Sequence, residues 1–213
     1  MSTIPVFIPY VNRFDLLEKA IASVPRRLTT EPIVINNSGA ELDLRCQVWE
    51  PTVPLTATQS LNMMQRAAKN LRVPFYFFMH GDAEAGPETV EKLYQMAMHE
   101  CSKGKWGVIF TNYDALAAFN TAAFDDVGPW DTVFSGYYAD NDIYRRLRLA
   151  GYSLSESGLP VVHHGSQTIN SDPLRKHVNS ITFPIHGQYY ASKWGGSPGH
   201  ETFDKPFGGR FDG

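Results

Sequence analysis

The 213-residue chain has only two cysteines, Cys46 and Cys101, in no pairing or metal-ligand spacing. Such scarcity gives no support to a disulfide scaffold and fits a reducing compartment. Charge of one sign is also lacking: the net charge is -3, so the bulk electrostatics demand no nucleic-acid partner. No run approaches the roughly 20 apolar residues of a membrane span. The opening MSTIPVFIPY lacks the basic lead and long apolar core of a signal peptide. HEXXH, CXXC and P-loop patterns are missing, as are internal repeats and low-complexity tracts. Together these absences lead us to expect a cytoplasmic domain without a membrane span.

What is present is a globular composition, 43% hydrophobic and 19% charged, enough for one substantial core. We therefore read residues 1–213 as one domain. Aromatics reach 13%, and several stand outside the apolar runs: Tyr137, Tyr138, Tyr189, Tyr190 and Trp194. Rings placed so can stack on a sugar or base, or lock loops onto a core.

The first half alternates apolar runs with amphipathic stretches. Strands are expected at Ile4–Pro9, Pro32–Asn36 and Val73–Met79, the last apolar enough to be covered on both faces. Helices are expected at Phe14–Val24 and Thr58–Leu71, and a third opening at Gly86-Pro87-Glu88. Alternation of this kind implies right-handed crossovers and an open, mostly parallel α/β sheet. Ligands in such sheets sit beyond the carboxyl ends of the strands, which directs attention to Tyr10–Arg13, Asn36–Ser38 and His80–Glu84. Further on, Trp106–Thr111 reads as a strand, Asp140–Ala150 as a helix ended by Gly151, and Leu159–Val162 as a strand running into His163-His164. From Ser171 the chain shows little periodicity, and we expect an irregular tail wrapped over the active face.

Three groups of residues could carry chemistry. In His80-Gly81-Asp82-Ala83-Glu84, the carboxylates of Asp82 and Glu84 could hold Mg²⁺ or Mn²⁺ against a diphosphate, or could merely cap the turn and helix that follow. In Gly136-Tyr137-Tyr138-Ala139-Asp140-Asn141-Asp142, Asp140 and Asp142 stand where a helix begins, as caps or as a proton acceptor. In Val161-Val162-His163-His164, extended backbone sends the two imidazoles to opposite sides, so one at most faces a site.

In order and wording these segments resemble the family-2 glycosyltransferases, which have the GT-A fold. VFIPYVNRFDLLEKAIASV resembles that family's first strand and helix, IVINNSG its second strand, and FYFFMHGDAEAGPETVEKL its Asp-X-Asp region. AFNTAAFDDVGPWDTVFSGYYADNDIYRRLRLAGY resembles the acceptor-side block, and VVHHGSQT the late metal-histidine segment. The resemblance covers roughly residues 4–169 and implies a GT-A-like domain with a nucleotide-sugar-binding half over about 1–105. An acceptor and catalytic half over 106–170 and a closing segment over 171–213 would follow. It implies Asp82 and His163 as metal ligands, with His164 in reserve, and Asp140 as the base. Pro9, Asn12, Asn36, Asn37, His80 and Gly81 would line the donor site, His80 standing where the family has an aspartate. Asp114, Trp130, Asp142 and Trp194 complete an acceptor or lid set. The implied activity is inverting transfer from a nucleotide-diphosphate sugar, with Mn²⁺ or Mg²⁺, to a glycan hydroxyl. In a compact viral form, working in the host cytoplasm, the acceptor would be a hydroxylated DNA base, for which Arg145, Arg146 and Arg148 offer a local basic patch. The alternative is a catalytically silent module that binds a nucleotide sugar or glycan.

Overall fold

A computed structural model describes residues 3–26 and 30–210. In chain order, β1 (Ile4–Tyr10), α1 (Phe14–Ser23), β2 (Thr30–Asn36), β3 (Gln47–Trp49), α2 (Ala57–Leu71) and β4 (Phe75–Met79) build the first half. There follow β5 (Ala83–Ala85), α3 (Thr89–Cys101), β6 (Trp106–Phe110), β7 (Leu116–Asn120), α4 (Thr121–Val127) and α5 (Ala139–Leu149). β8 (Ser153–Glu156), β9 (Val161–His163), α6 (Gln167–Asn170) and α7 (Pro173–Trp194) complete the order.

Seven strands form one sheet in the order β3-β2-β1-β4-β7-β6-β8. The expected parallel pairing holds on both sides of β7, which runs antiparallel to β4 and β6. β7 was not anticipated, because its sequence LAAFN is short and alanine-rich, weak for a strand. The burial of both its neighbours supplies what propensity does not: Phe119 packs against Tyr76, Phe124 and Trp130 at centroid distances of 4.8–5.9 Å.

Helix boundaries follow local chemistry. Thr56 caps α2 through a reciprocal bond pattern with Gln59, and Leu61, Met64 and Ala68 face the core as expected, while Leu71 is exposed. The third helix starts two residues later than Pro87 would suggest, because Glu88 takes a left-handed conformation as its cap. Among the described residues, no helix is long and apolar enough to cross a membrane.

The tail corrects the sequence reading. Instead of an irregular segment, residues Pro173–Trp194 form a 22-residue helix capped by Asp172, with Pro173 in its first turn. Pro184 inside it and a solvent-facing first half, with Leu174, Val178 and Ile181 exposed, hid the helical pattern. Its second half packs by one face, with His186, Tyr190, Lys193 and Trp194 buried: Tyr138 lies 5.8 Å from Tyr190 and 5.3 Å from Phe183, and Phe134 lies 5.1 Å from Tyr189. The loop aromatics thus lock this helix onto the domain.

A buried charge network fastens it. Asp142, fully buried, accepts from Trp194 Nε1 at 2.9 Å and pairs with Lys193 Nζ at 2.6 Å through Oδ1. Its Oδ2 accepts from Arg146 Nε at 3.1 Å. Lys193 also reaches Asp131 at 2.8 Å. Removing one member of such a network strands the others out of water. Asp142→Ala is therefore expected to cost about 3 kcal/mol, or roughly 6–12 °C of melting temperature at this chain length. Thermal denaturation, with limited proteolysis of the C-terminal end of α7, checks it.

Candidate functional site

The carboxyl edge of β1, β2, β4 and β6 carries the loops flagged above, and the start of antiparallel β7 reaches the same edge. His80, Gly81 and Asp82 form the turn after β4. The His80 N–H donates to Ala115 O, 2.9 Å away, tying this turn to the one before β7. Gly81 eases a close approach: a Cβ there would lie 3.1 Å from Pro9 O, so that the turn or β1 would have to give by a few tenths of an ångström.

β5 then pairs antiparallel with β9, placing Ala83 opposite His163. That register brings the His163 ring beside Asp82. His163 Nε2 lies 3.3 Å from Asp82 Oδ1, and His80 Nδ1 lies 3.9 Å from the same oxygen. The two imidazoles stand 5.0 Å apart, edge to face. Among the described residues, His80, Asp82 and His163 are the group whose ligating atoms converge, all within 4.8 Å of one another. His164 is not in it; its N–H donates to Asp82 O. Glu84 lies on β5 and is likewise outside the group.

The donor set suits a divalent ion. Asp82 is buried, and although burial alone would raise its carboxyl, the adjacent His163 and His80 imidazoles and the Gln167 N–H hold it below the usual range. Burial first, then the nearby His163, lowers His80 to about 4, which leaves its nitrogen lone pair free at neutral pH. His163 Nε2 is buried without a hydrogen-bond partner, a position that costs free energy unless a ligand meets it.

The N-terminal end of α6 laps over this group. Gln167 N–H donates to Asp82 Oδ2 at 3.1 Å, Asn12 Nδ2 donates to Thr168 O, and Arg13 Nη1 donates to Gln167 Oε1. Arg13 and Gln167 were not singled out in the sequence; Arg13 sits in the flagged loop after β1, but nothing local marks Gln167. Asn12 Oδ1 is buried and unpartnered, whereas Pro9 is half-buried at the end of β1.

Asn36 and Asn37 are spent on their own surroundings. Asn36 donates to Ala40 O and accepts from Ser38, while Asn37 donates to Ser60 and accepts from Leu55 N–H. They brace the loop after β2 and are occupied in doing so.

Across the edge lies a second group. Tyr113 and Asp114 occupy a turn with φ of 55° and 51°, and Asp114 Oδ2 accepts from Tyr144 Oη at 2.7 Å. Burial chiefly, with the nearby charge of Asp140, pushes Asp114 up to about 6 against the Tyr144 hydrogen bond. Asp140 is open to solvent on one side. The protein around it nonetheless raises its carboxyl, more than the N–H groups of Asp140 and Asn141 lower it. The cap of α5 is Tyr138 in a left-handed conformation, so Asp140 is in the first turn and is not the capping residue. Trp130 and Trp194 are buried, at 3% and 1% exposure. The structure places them in the packing, not on an open acceptor face or lid, because their rings fill the core and the α7 seam. Asp142, in the network under α7, is also away from any open face.

Two surface hollows of about 420 Å³ lie elsewhere, one near Ile21 and Leu44, the other at the opposite sheet edge near Pro74 and Asn120. Neither gathers a ligand set among the described residues, so side-chain chemistry and not concavity marks the site.

No protein-family model and no curated protein matches the chain. Solved structures do. S. aureus TarS, a glycosyltransferase, superposes with a TM-score of 0.59 at 11% identity, covering 89% of this chain and 44% of that one. The TarS fragment 1-349 gives 0.55 at 11% identity, covering 72% and 57%. The same fragment in complex with UDP-GlcNAc gives 0.50 at 12%, covering 72% and 55%. The chain thus spans about half the length of these structures. The likeness is one of fold, and it agrees with the GT-A-like sheet expected from the sequence.

The raised Asp114 has a measurable consequence. A carboxyl whose value rises on folding favours the folded state while protonated; that contribution is complete below its ordinary value and lost as pH rises through the folded one, about 6. Asp114→Asn cannot ionise, so its melting temperature should gain on wild type between about pH 4 and about pH 7. A difference that does not change with pH would contradict the assignment. At the His80–Asp82–His163 group, added Mn²⁺ should raise the melting temperature of the wild type but not that of Asp82→Asn.

Proposed function

We propose that the protein is a metal-dependent glycosyltransferase that moves a sugar, with inversion, from a nucleotide-diphosphate sugar to an acceptor hydroxyl. The observation that carries this reading is the convergence of His80, Asp82 and His163 on the carboxyl edge of a sheet whose fold TarS shares, a protein solved with UDP-GlcNAc. Asp114 and Asp140 lie across that edge as candidate proton acceptors.

In this reading His80, Asp82 and His163 would hold Mn²⁺ or Mg²⁺, and the ion when bound offsets negative charge on the departing diphosphate. The turn at Gly81, the end of β1 at Pro9 and the side chain of Asn12 shape the donor site, with Asn36 and Asn37 holding its loop in place. Asp140 takes the proton from the acceptor hydroxyl. The acceptor oxygen forms its bond to the anomeric carbon while the bond to the diphosphate oxygen breaks, and that electron pair leaves with the nucleotide. Attack opposite the leaving group inverts the centre. The raised carboxyl of Asp140 makes it a better base than a helix N-terminus would suggest, and Asp114, near enough to feel its charge, is the second candidate.

The acceptor reading narrows to a glycan hydroxyl. Two of the three arginines behind the DNA alternative are engaged internally. Arg145 lies 5.4 Å over the Trp194 ring and donates to Phe203 O, and Arg146 binds Asp142, Val127 O and Pro129 O.

Asp140→Asn tests the core of the proposal. Nucleotide and metal affinity should stay near wild type while single-turnover transfer falls by roughly 10²-fold or more. Undiminished transfer would remove Asp140 as base. Binding of the donor by the wild type without any transfer would favour the silent binding module.

A further inference from the structure

We infer that His80, Asp82 and His163 form a nitrogen-rich centre that selects a later first-row transition ion, such as Co²⁺ or Zn²⁺, over Mg²⁺. This rests on the reading that the group holds the metal of the proposed reaction, and goes beyond it by naming the class of ion and giving His80 a ligand's role.

Asp82 Oδ1 is the meeting point, 3.3 Å from His163 Nε2 and 3.9 Å from His80 Nδ1. The other carboxylate oxygen is already engaged by the Gln167 N–H at 3.1 Å, so Asp82 offers one oxygen and is held in that orientation. Among the described residues no second carboxylate joins the group. The protein therefore presents two imidazole nitrogens and one oxygen. Mg²⁺ favours an octahedral shell of oxygen and loses water reluctantly, whereas imidazole suits the later first-row ions, with affinity rising from Mn²⁺ through Co²⁺.

Burial sharpens the preference. Asp82 is only 4% exposed, and His163 Nε2 is buried with no hydrogen-bond partner. An imidazole nitrogen 3.3 Å from a buried carboxylate oxygen is well placed to share a cation with it. The β5–β9 pairing sets His163 opposite Ala83 and the Ala115 carbonyl anchors the His80 backbone, so both rings start from positions beside Asp82. The charge balance also bears on function. One carboxylate around a divalent ion leaves a net charge of about +1, where two carboxylates would leave none. The excess attracts a diphosphate at short range.

The test uses the full chain and the metals alone, with no nucleotide present. Titration calorimetry and visible absorption of the Co²⁺-loaded protein are run on wild type, His80→Asp and His80→Gln, with His99→Ala on an exposed helix face as the control. Wild type and the control should bind Co²⁺ and Zn²⁺ at least about tenfold more tightly than Mg²⁺. His80→Asp should lose about tenfold or more of its Co²⁺ affinity and gain affinity for Mg²⁺; His80→Gln should lose the first without gaining the second. Circular dichroism without metal establishes that each variant folds, and His80→Gln carries the test should His80→Asp not fold. Equal binding of Mg²⁺ and Co²⁺ by wild type overturns the inference, as does unchanged Co²⁺ affinity and absorption in the His80 variants. Selective binding in a protein that transfers no sugar with any ion would support the centre while removing the transferase reading.

Discussion

Much of the candidate site depends on one short ladder, the antiparallel pairing of β5 with β9. It joins residues nearly eighty positions apart through three residues on each side, and closing so long a loop carries an entropic cost. Contacts at both ends of the ladder offset it. The Pro160 carbonyl accepts from the Gly86 N–H and the Thr89 hydroxyl, and the Asp82 carbonyl accepts from the His164 N–H. Gly86 permits this: a Cβ there would come within 2.9 Å of Pro160. A shift of one residue would turn His163 away and present His164 in its place, because strand side chains alternate.

The other side of the edge is held by burial of charge. Asp142, Lys193, Arg146 and Trp194 form a network with almost no solvent access, and its partners lie on α5, α7 and the loop containing Asp131. Such networks contribute little net stability compared with an apolar core of the same shape, but they tolerate few alternative arrangements. Here the network sets where α7 docks, and α7 in turn sets Tyr137 and Tyr138, which lead into the first turn containing Asp140. The tail thus positions the first turn of α5 from behind.

Electrostatically, the two groups facing the edge have opposite logic. At Asp82, imidazoles and a backbone N–H outweigh burial and keep a carboxylate ionised, as a metal ligand requires. At Asp114, burial outweighs the Tyr144 hydrogen bond and raises the carboxyl; Asp140, open on one side, is raised in the same direction by the protein around it. One sheet edge therefore holds carboxylates tuned in two directions by their surroundings.

How much of this was legible beforehand follows from the range of the forces involved. The alternation of buried strands and amphipathic helices up to Cys101 is a local pattern, and IPVFIPY, TEPIVIN and FYFFM form the strands they suggest. Asp82 was legible because a polar residue directly after a central strand must lie at the ligand edge. His163 was legible only through resemblance, and His80 stood as an apparent loss of a ligand until the fold set its ring beside Asp82. Trp130, Asp142 and Trp194 carried the residue types of a site, but their burial, which made them structural, comes from α5 and α7 packing together. β7 and α7 escaped the sequence for the same reason: alanine-rich LAAFN and a helix containing Pro184 have weak local signals, and long-range burial overrides them. Composition and periodicity by themselves determined the parallel strands β1, β2 and β4 and the edge where chemistry belongs. Which side chains meet there was decided by tertiary structure alone, because a ligand set is a matter of distances between atoms that the chain separates by eighty residues.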